Sequence, residues 1–83
     1  MNYTVGLKPR AIKDLQEIQR QDAKRIADAL ERLTDGLSGD VKRLTNFSPE
    51  YRLRVGSYRV LFEIENDDHV IVYRVVHRRE AYR

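Results

Sequence analysis

The stretch Tyr51-Arg52-Leu53-Arg54-Val55-Gly56-Ser57-Tyr58-Arg59-Val60-Leu61-Phe62-Glu63-Ile64-Glu65 places apolar residues at alternate positions on both sides of Gly56-Ser57. A period of two marks half-buried strands, and a two-residue Gly-X loop marks a tight hairpin. That loop fixes the pairing. Val55 faces Tyr58, Arg54 faces Arg59, Leu53 faces Val60 and Arg52 faces Leu61. Directly opposed residues share a face of the sheet. Leu53, Val55, Tyr58, Val60, Phe62 and Ile64 therefore form a core face, and Arg52, Arg54 and Arg59 share the opposite one.

Toward the C-terminus, Asn66-Asp67-Asp68-His69 reads as a turn and Val70 to Val76 as a third strand. Glu65 is expected to face Val70. That register puts Ile71, Tyr73 and Val75 on the core face and Val72, Arg74 and Val76 on the arginine face. Arg78 joins the arginine face if the strand continues, with His77 on the other side unless the chain turns there.

Toward the N-terminus, Tyr3, Val5 and Leu7 alternate as a short strand over residues 3–8. Pro9 suits the first position of a helix, and Ala11, Ile12, Leu15 and Ile18 follow at helical spacing. Asp22 is expected to cap a second helix whose stripe is Ala23, Ile26, Ala27, Leu30 and Leu33, closed by Gly36. Leu37 to Pro49 reads as a linker, in which Lys42 and Arg43 are candidate phosphate contacts. The predicted fold class is α+β: a single antiparallel-type sheet in β-α-α-β-β-β order, with a two-helix hairpin on one face and one domain over residues 1–83.

Composition narrows the chemistry. The chain has 83 residues, no Cys and no Trp, and a formal net charge of +3. That length is too short for a doubly wound nucleotide enzyme or a β/α barrel. Without Cys there is no disulfide scaffold and no thiolate zinc site. Its 16 basic residues are twelve Arg and four Lys. Arg offers a planar, permanently charged fork that matches phosphate. Neither a membrane span nor a signal peptide is predicted, so a cytoplasmic setting is expected.

Arg54 opposite Arg59 is a like-charge pair that costs a sheet stability. Several arginines on one face can hold a phosphate and stabilise charge developing on it. A guanidinium is a poor base, so a proton carrier must come from elsewhere. His77 is one candidate, because imidazole exchanges protons near neutrality. Tyr82 is the other, since surrounding arginines favour its phenolate. These groups suit attack of an RNA 2′-OH on the adjacent phosphate, with no metal and no cofactor.

The blocks Tyr51-Arg52-Leu53-Arg54-Val55-Gly56 with Tyr58-Arg59-Val60-Leu61-Phe62-Glu63-Ile64, and His77-Arg78-Arg79-Glu80-Ala81-Tyr82-Arg83, resemble the RelE branch of the RelE/ParE toxin superfamily. The resemblance spans the chain. It implies the toxin of a type II toxin–antitoxin system, a metal-independent endoribonuclease that cuts ribosome-bound mRNA. Carried over residue by residue, it implies catalytic roles for Arg52, Arg54, Arg59, Arg78 and Tyr82. Some relatives use a His that corresponds to His77. Lys42, Arg43, Arg74, Arg79 and Arg83 are the expected additional RNA contacts. Arg52 and Arg54 stand where well-known members carry Lys, which shifts the search for a base toward His77. The chain ends one residue past Tyr82, so regulation through a further C-terminal helix is not expected. The implied partners are the ribosome, its mRNA and a small acidic RelB-like antitoxin, with no membrane. A ParE-like poison of DNA gyrase and a non-catalytic RNA-binding module are the alternatives.

Overall fold

The structure, a computed structural model, describes residues 2–81. Its elements in chain order are β1 (Thr4–Leu7), α1 (Pro9–Glu17), α2 (Arg20–Leu33), β2 (Asp40–Arg43), β3 (Tyr51–Val55), β4 (Tyr58–Glu65) and β5 (His69–His77). One five-stranded sheet runs in the order β1-β5-β4-β3-β2. It is antiparallel except where β1 lies parallel to β5. The α+β class and the helix pair on one face are as expected. Among the described residues no helix is long and apolar enough to cross a membrane.

Pro9 starts α1 after an extended Lys8. At that position its missing N–H costs no intrahelical bond. The buried stripe of α1 is rotated from the predicted one. Ile12 is 46% exposed, whereas Asp14 is 6% exposed beside Ala11. The second helix begins at Arg20 rather than after Asp22, which sits in its first turn. A carboxylate there meets the positive end of the helix dipole without acting as the cap. Ile26, Ala29, Leu30 and Leu33 carry α2 into the core. Gly36 adopts φ 66, the left-handed geometry that turns the chain out of the helix.

The β3–β4 register is the predicted one: Val55↔Tyr58, Arg54↔Arg59, Leu53↔Val60 and Arg52↔Leu61. The second turn corrects the prediction. Glu65 pairs with His69, not Val70, because the loop has an odd number of residues with Asn66 and Asp67 at positive φ. Val70 and Val72 therefore face the main core and are fully buried. Ile71 instead pairs with Glu63 on the opposite face. A bulge at Leu61/Phe62 then leaves Tyr73 as the extra residue. One extra residue restores the phase, so Leu61↔Arg74, Arg59↔Val76 and Val60↔Val75 match expectation.

The predicted linker also needs correction. It contains β2, which pairs Asp40↔Arg54, Val41↔Leu53, Lys42↔Arg52 and Arg43↔Tyr51. Its one inward apolar side chain is Val41, and its charges suit a sheet edge. Gly39 enters β2 at φ 133, and a Cβ there would lie 2.9 Å from Leu53 Cδ1. Leu53 is 1% exposed and cannot retreat freely. Gly39→Ala is expected to cost about 1–3 kcal/mol. A thermal melt followed by circular dichroism should show this as a fall of several degrees.

The main core joins the helices to Leu53, Val60, Phe62, Val70, Val72 and Val75. Tyr51 stacks on Phe62 with centroids 5.4 Å apart. A second, small cluster of Leu61, Val76 and Ala81 lies on the arginine side. Part of that face is thus covered by the chain's own C-terminal turn. Beyond β1, the free edge of β5 is met by α1. Lys8 N donates to Val72 O at 2.8 Å, and Val75 N donates to Asp14 Oδ2 at 2.9 Å.

Candidate functional site: a basic sheet face ending at the β3–β4 turn

Cross-strand pairing aligns the charges in rows. Lys42, Arg52, Leu61 and Arg74 form one row, and Asp40, Arg54, Arg59 and Val76 form the next. Opposed side chains share a face, so β2 adds Lys42 and Asp40 to the arginine face. Arg43 has the other parity and pairs with Glu50 at 3.0 Å.

Asp40 is the residue the sequence did not reveal. Its carboxylate accepts from Arg52 Nη1 at 3.1 Å and Arg54 Nε at 2.9 Å. Arg52 Nη1 also donates to Asp40 O at 2.8 Å. The hydrogen bond from Arg52, followed by the charges of Arg52, Arg54 and Arg59, holds the Asp40 carboxyl below its ordinary range. The signal was present in Asp40-Val41-Lys42, whose alternation puts Asp40 and Lys42 on one face. Glu63 Oε1 accepts from Glu50 N at 2.6 Å.

Arg59 is different. Its Nη1 donates to Gly56 O at 3.1 Å and Tyr58 O at 2.9 Å. Among the described residues no carboxylate lies within ion-pair distance of it. The guanidinium is therefore fastened over the hairpin turn by neutral acceptors, and its charge is uncompensated by direct contact. Arg74 is held by Asp14, with Nε 2.8 Å from Oδ2. That hydrogen bond, opposed by partial burial, raises the Arg74 pKa further. Arg74 thus braces α1 against β5 on the flank of the basic face.

The end of β5 meets the same turn. Arg78 N donates to Ser57 O at 2.8 Å. Beyond His77 the chain turns, so Arg78 does not extend the strand, and Arg78 and Arg79 are both exposed. His77 pairs with Tyr58 on the helix side of the sheet, and the two rings meet edge-on at 5.7 Å. Its Nδ1 accepts from Arg79 N at 3.3 Å, which leaves Nε2 as the other exchangeable position. Arg54, Arg59, His77 and Arg78 thus gather around one end of the sheet, from both of its faces. Tyr82 and Arg83 lie outside the described residues.

The structure is a small α+β scaffold whose sheet presents an open, arginine-rich face. The family model described as ParE toxin of type II toxin–antitoxin system, parDE, matches residues 5–82. The RelE1 protein of Methanocaldococcus jannaschii is 33% identical over 88 residues, covering 100% of this chain and 98% of the relative. Toxin RelE3 of the same organism is 34% identical over 76 residues, covering 86% of this chain and 85% of the relative. The crystal structure of the RelB–RelE antitoxin–toxin complex from Methanococcus jannaschii superimposes with a TM-score of 0.73 at 30% identity, covering 88% of this chain and 89% of that one. The chain belongs to the ParE toxin family of type II toxin–antitoxin systems, and these relatives bear out the resemblance to its RelE branch.

Proposed function

We propose that this chain is a cytoplasmic toxin that cuts ribosome-bound mRNA by attack of a 2′-OH on the adjacent phosphate. The observation that carries this is Arg59, a guanidinium tied to two backbone carbonyls and, among the described residues, free of a carboxylate, beside Arg52 and Arg54. In the reaction the 2′-oxygen forms a bond to phosphorus and the P–O5′ bond breaks. The 2′-OH gives up a proton, and the departing 5′-oxygen takes one. Arg59 offsets the charge that grows on the phosphate oxygens. Arg52, Arg54 and Arg78 orient the phosphate, and Lys42, Arg74 and Arg79 extend the basic surface along the strand. His77 or Tyr82 carries the proton. This route assigns charge stabilisation to guanidinium groups.

Asp40 occupies part of what the phosphate needs. Asp40→Asn removes one negative charge from the face and releases Arg54. Single-stranded RNA is expected to bind this variant several-fold more tightly at low salt, with a steeper salt slope. Fluorescence anisotropy across a salt series measures both.

The proposed partner is an antitoxin that supplies acidic and apolar groups and folds as it binds. This extends to our chain what the RelB–RelE complexes record for their own toxins. The family model's ParE description favours a second reading, a gyrase poison. Purified protein assayed side by side for translation and for gyrase supercoiling tests the proposal. Blocked translation with intact supercoiling supports it, and the reverse favours the gyrase reading.

A further inference from the structure

Two depressions border the hairpin turn. A cleft of about 250 Å³ on the helix side is lined by Asp22, Arg25, Val55, Ser57, Tyr58 and His77. A second groove of about 410 Å³, between α2 and the β2–β3 end of the sheet, is lined by Arg25, Asp28, Gly39, Asp40, Arg54 and Gly56 among others. Arg25 borders both.

Arg25 belongs to α2, whose outward charges look like a solvated face in the sequence. Its placement is more specific. A Cβ built on Gly56 would lie 3.3 Å from Arg25 Nη2 and 3.4 Å from Nη1. The guanidinium therefore packs close to the turn backbone, where a Cβ would press on it and where φ is 57. Among the described residues Arg25 has no carboxylate within ion-pair distance. Asp22, one helical turn earlier, opens into the same cleft and is likewise without a basic partner there. Tyr58, half-buried, supplies an aromatic wall braced edge-on by His77.

A polyanion groove alone would not require this set. An aromatic wall, a donor fork and a free carboxylate together match a nucleobase, which single-stranded RNA presents unstacked. The fork suits the O6 and N7 acceptors of guanine. The carboxylate suits its N1–H and N2–H donors. Adenine places an amino group where guanine has O6 and would oppose the Arg25 donors.

We propose that the Asp22–Arg25–Tyr58 cleft is a nucleobase subsite that selects guanine next to the phosphate held at Arg59. The inference rests on the RNA reading of the basic face and adds the residues that set base preference. Arg59 binds the backbone from one side of the turn, and Arg25 reads the base from the other.

The test uses the full chain and uncleavable 2′-O-methyl hexanucleotides, all uridine except for one central G, A or C. Fluorescence anisotropy should show the G-containing strand binding about 10-fold more tightly than the A-containing one. Arg25→Ala should erase that difference. Arg25→Lys keeps the charge and loses the fork, so it should retain affinity for all strands but not the preference. Arg59→Ala should weaken all strands and keep the ratio. Equal binding of all strands by the unmodified protein, or a preference that survives Arg25→Ala and Arg25→Lys, overturns the subsite alone. Failure to bind any strand overturns the subsite, and mRNA left intact on programmed ribosomes overturns the RNA reading as well.

Discussion

Arg59→Ala is expected to lower the rate of mRNA cleavage by about 10²-fold or more while leaving the fold intact. Among the described residues the Arg59 side chain is bonded only to the carbonyls of Gly56 and Tyr58, at the exposed hairpin turn. Its removal strands no buried carboxylate. It also relieves the like-charge pair with Arg54, directly opposite on β3. Such pairs cost roughly 0.2–1 kcal/mol, so thermal stability should hold or rise slightly as activity collapses. Arg52 offers the contrast. Its side chain is 14% exposed and bonded to Asp40 through both backbone and carboxylate, so Arg52→Ala should lose stability and activity together. Single-turnover cleavage of programmed ribosomes, paired with a thermal melt, reads both quantities. Cleavage by Arg59→Ala within a few-fold of the unmodified rate would remove Arg59 from the mechanism.

Asp14→Ala has the largest expected effect on stability, a loss of about 2–4 kcal/mol. Its side chain is 7% exposed and bridges Arg74, Arg10 and the Val75 N–H. Alanine leaves that buried N–H without an acceptor at the edge of β5 and frees Arg74. The melting temperature should fall by more than about 10 °C. A change under about 2 °C would contradict the role assigned to Asp14. Burial raises the Asp14 pKa, but the hydrogen bonds from Arg74 and Val75 N, with the Arg74 charge and Arg10, outweigh it and hold the carboxyl below the ordinary aspartate range. A carboxyl depressed in the folded state stabilises above its unfolded pKa and loses that contribution as pH falls through the folded value. The unmodified protein should therefore lose this contribution as pH falls below about 4. Asp14→Ala should show a shallower acid limb.

The hairpin at Gly56-Ser57 was legible because a two-residue loop admits one register, and the register gathers Arg52, Arg54 and Arg59. The β4–β5 register was less so. Nothing in Asn66-Asp67-Asp68 shows that an odd loop will be followed by a bulge at Tyr73, two shifts that cancel by Arg74. Strand β2 was hidden because three of its four residues are charged, and with it went the neutralising role of Asp40. Asp14 was hidden differently. On an amphipathic helix a lone acid beside Ala11 reads as solvated, and only the open edge of β5 explains its burial. Arg25 was invisible for a related reason, since its position depends on Gly56, which is 31 residues away in sequence.

The most direct measurement of the central claim is primer extension on mRNA from ribosomes programmed with a defined codon in the A site, incubated with the purified protein, with free RNA as control. Discrete 3′ ends within the A-site codon, lost with Arg59→Ala, are the predicted result. Intact mRNA on the ribosome, at protein concentrations that arrest growth when expressed, would contradict it.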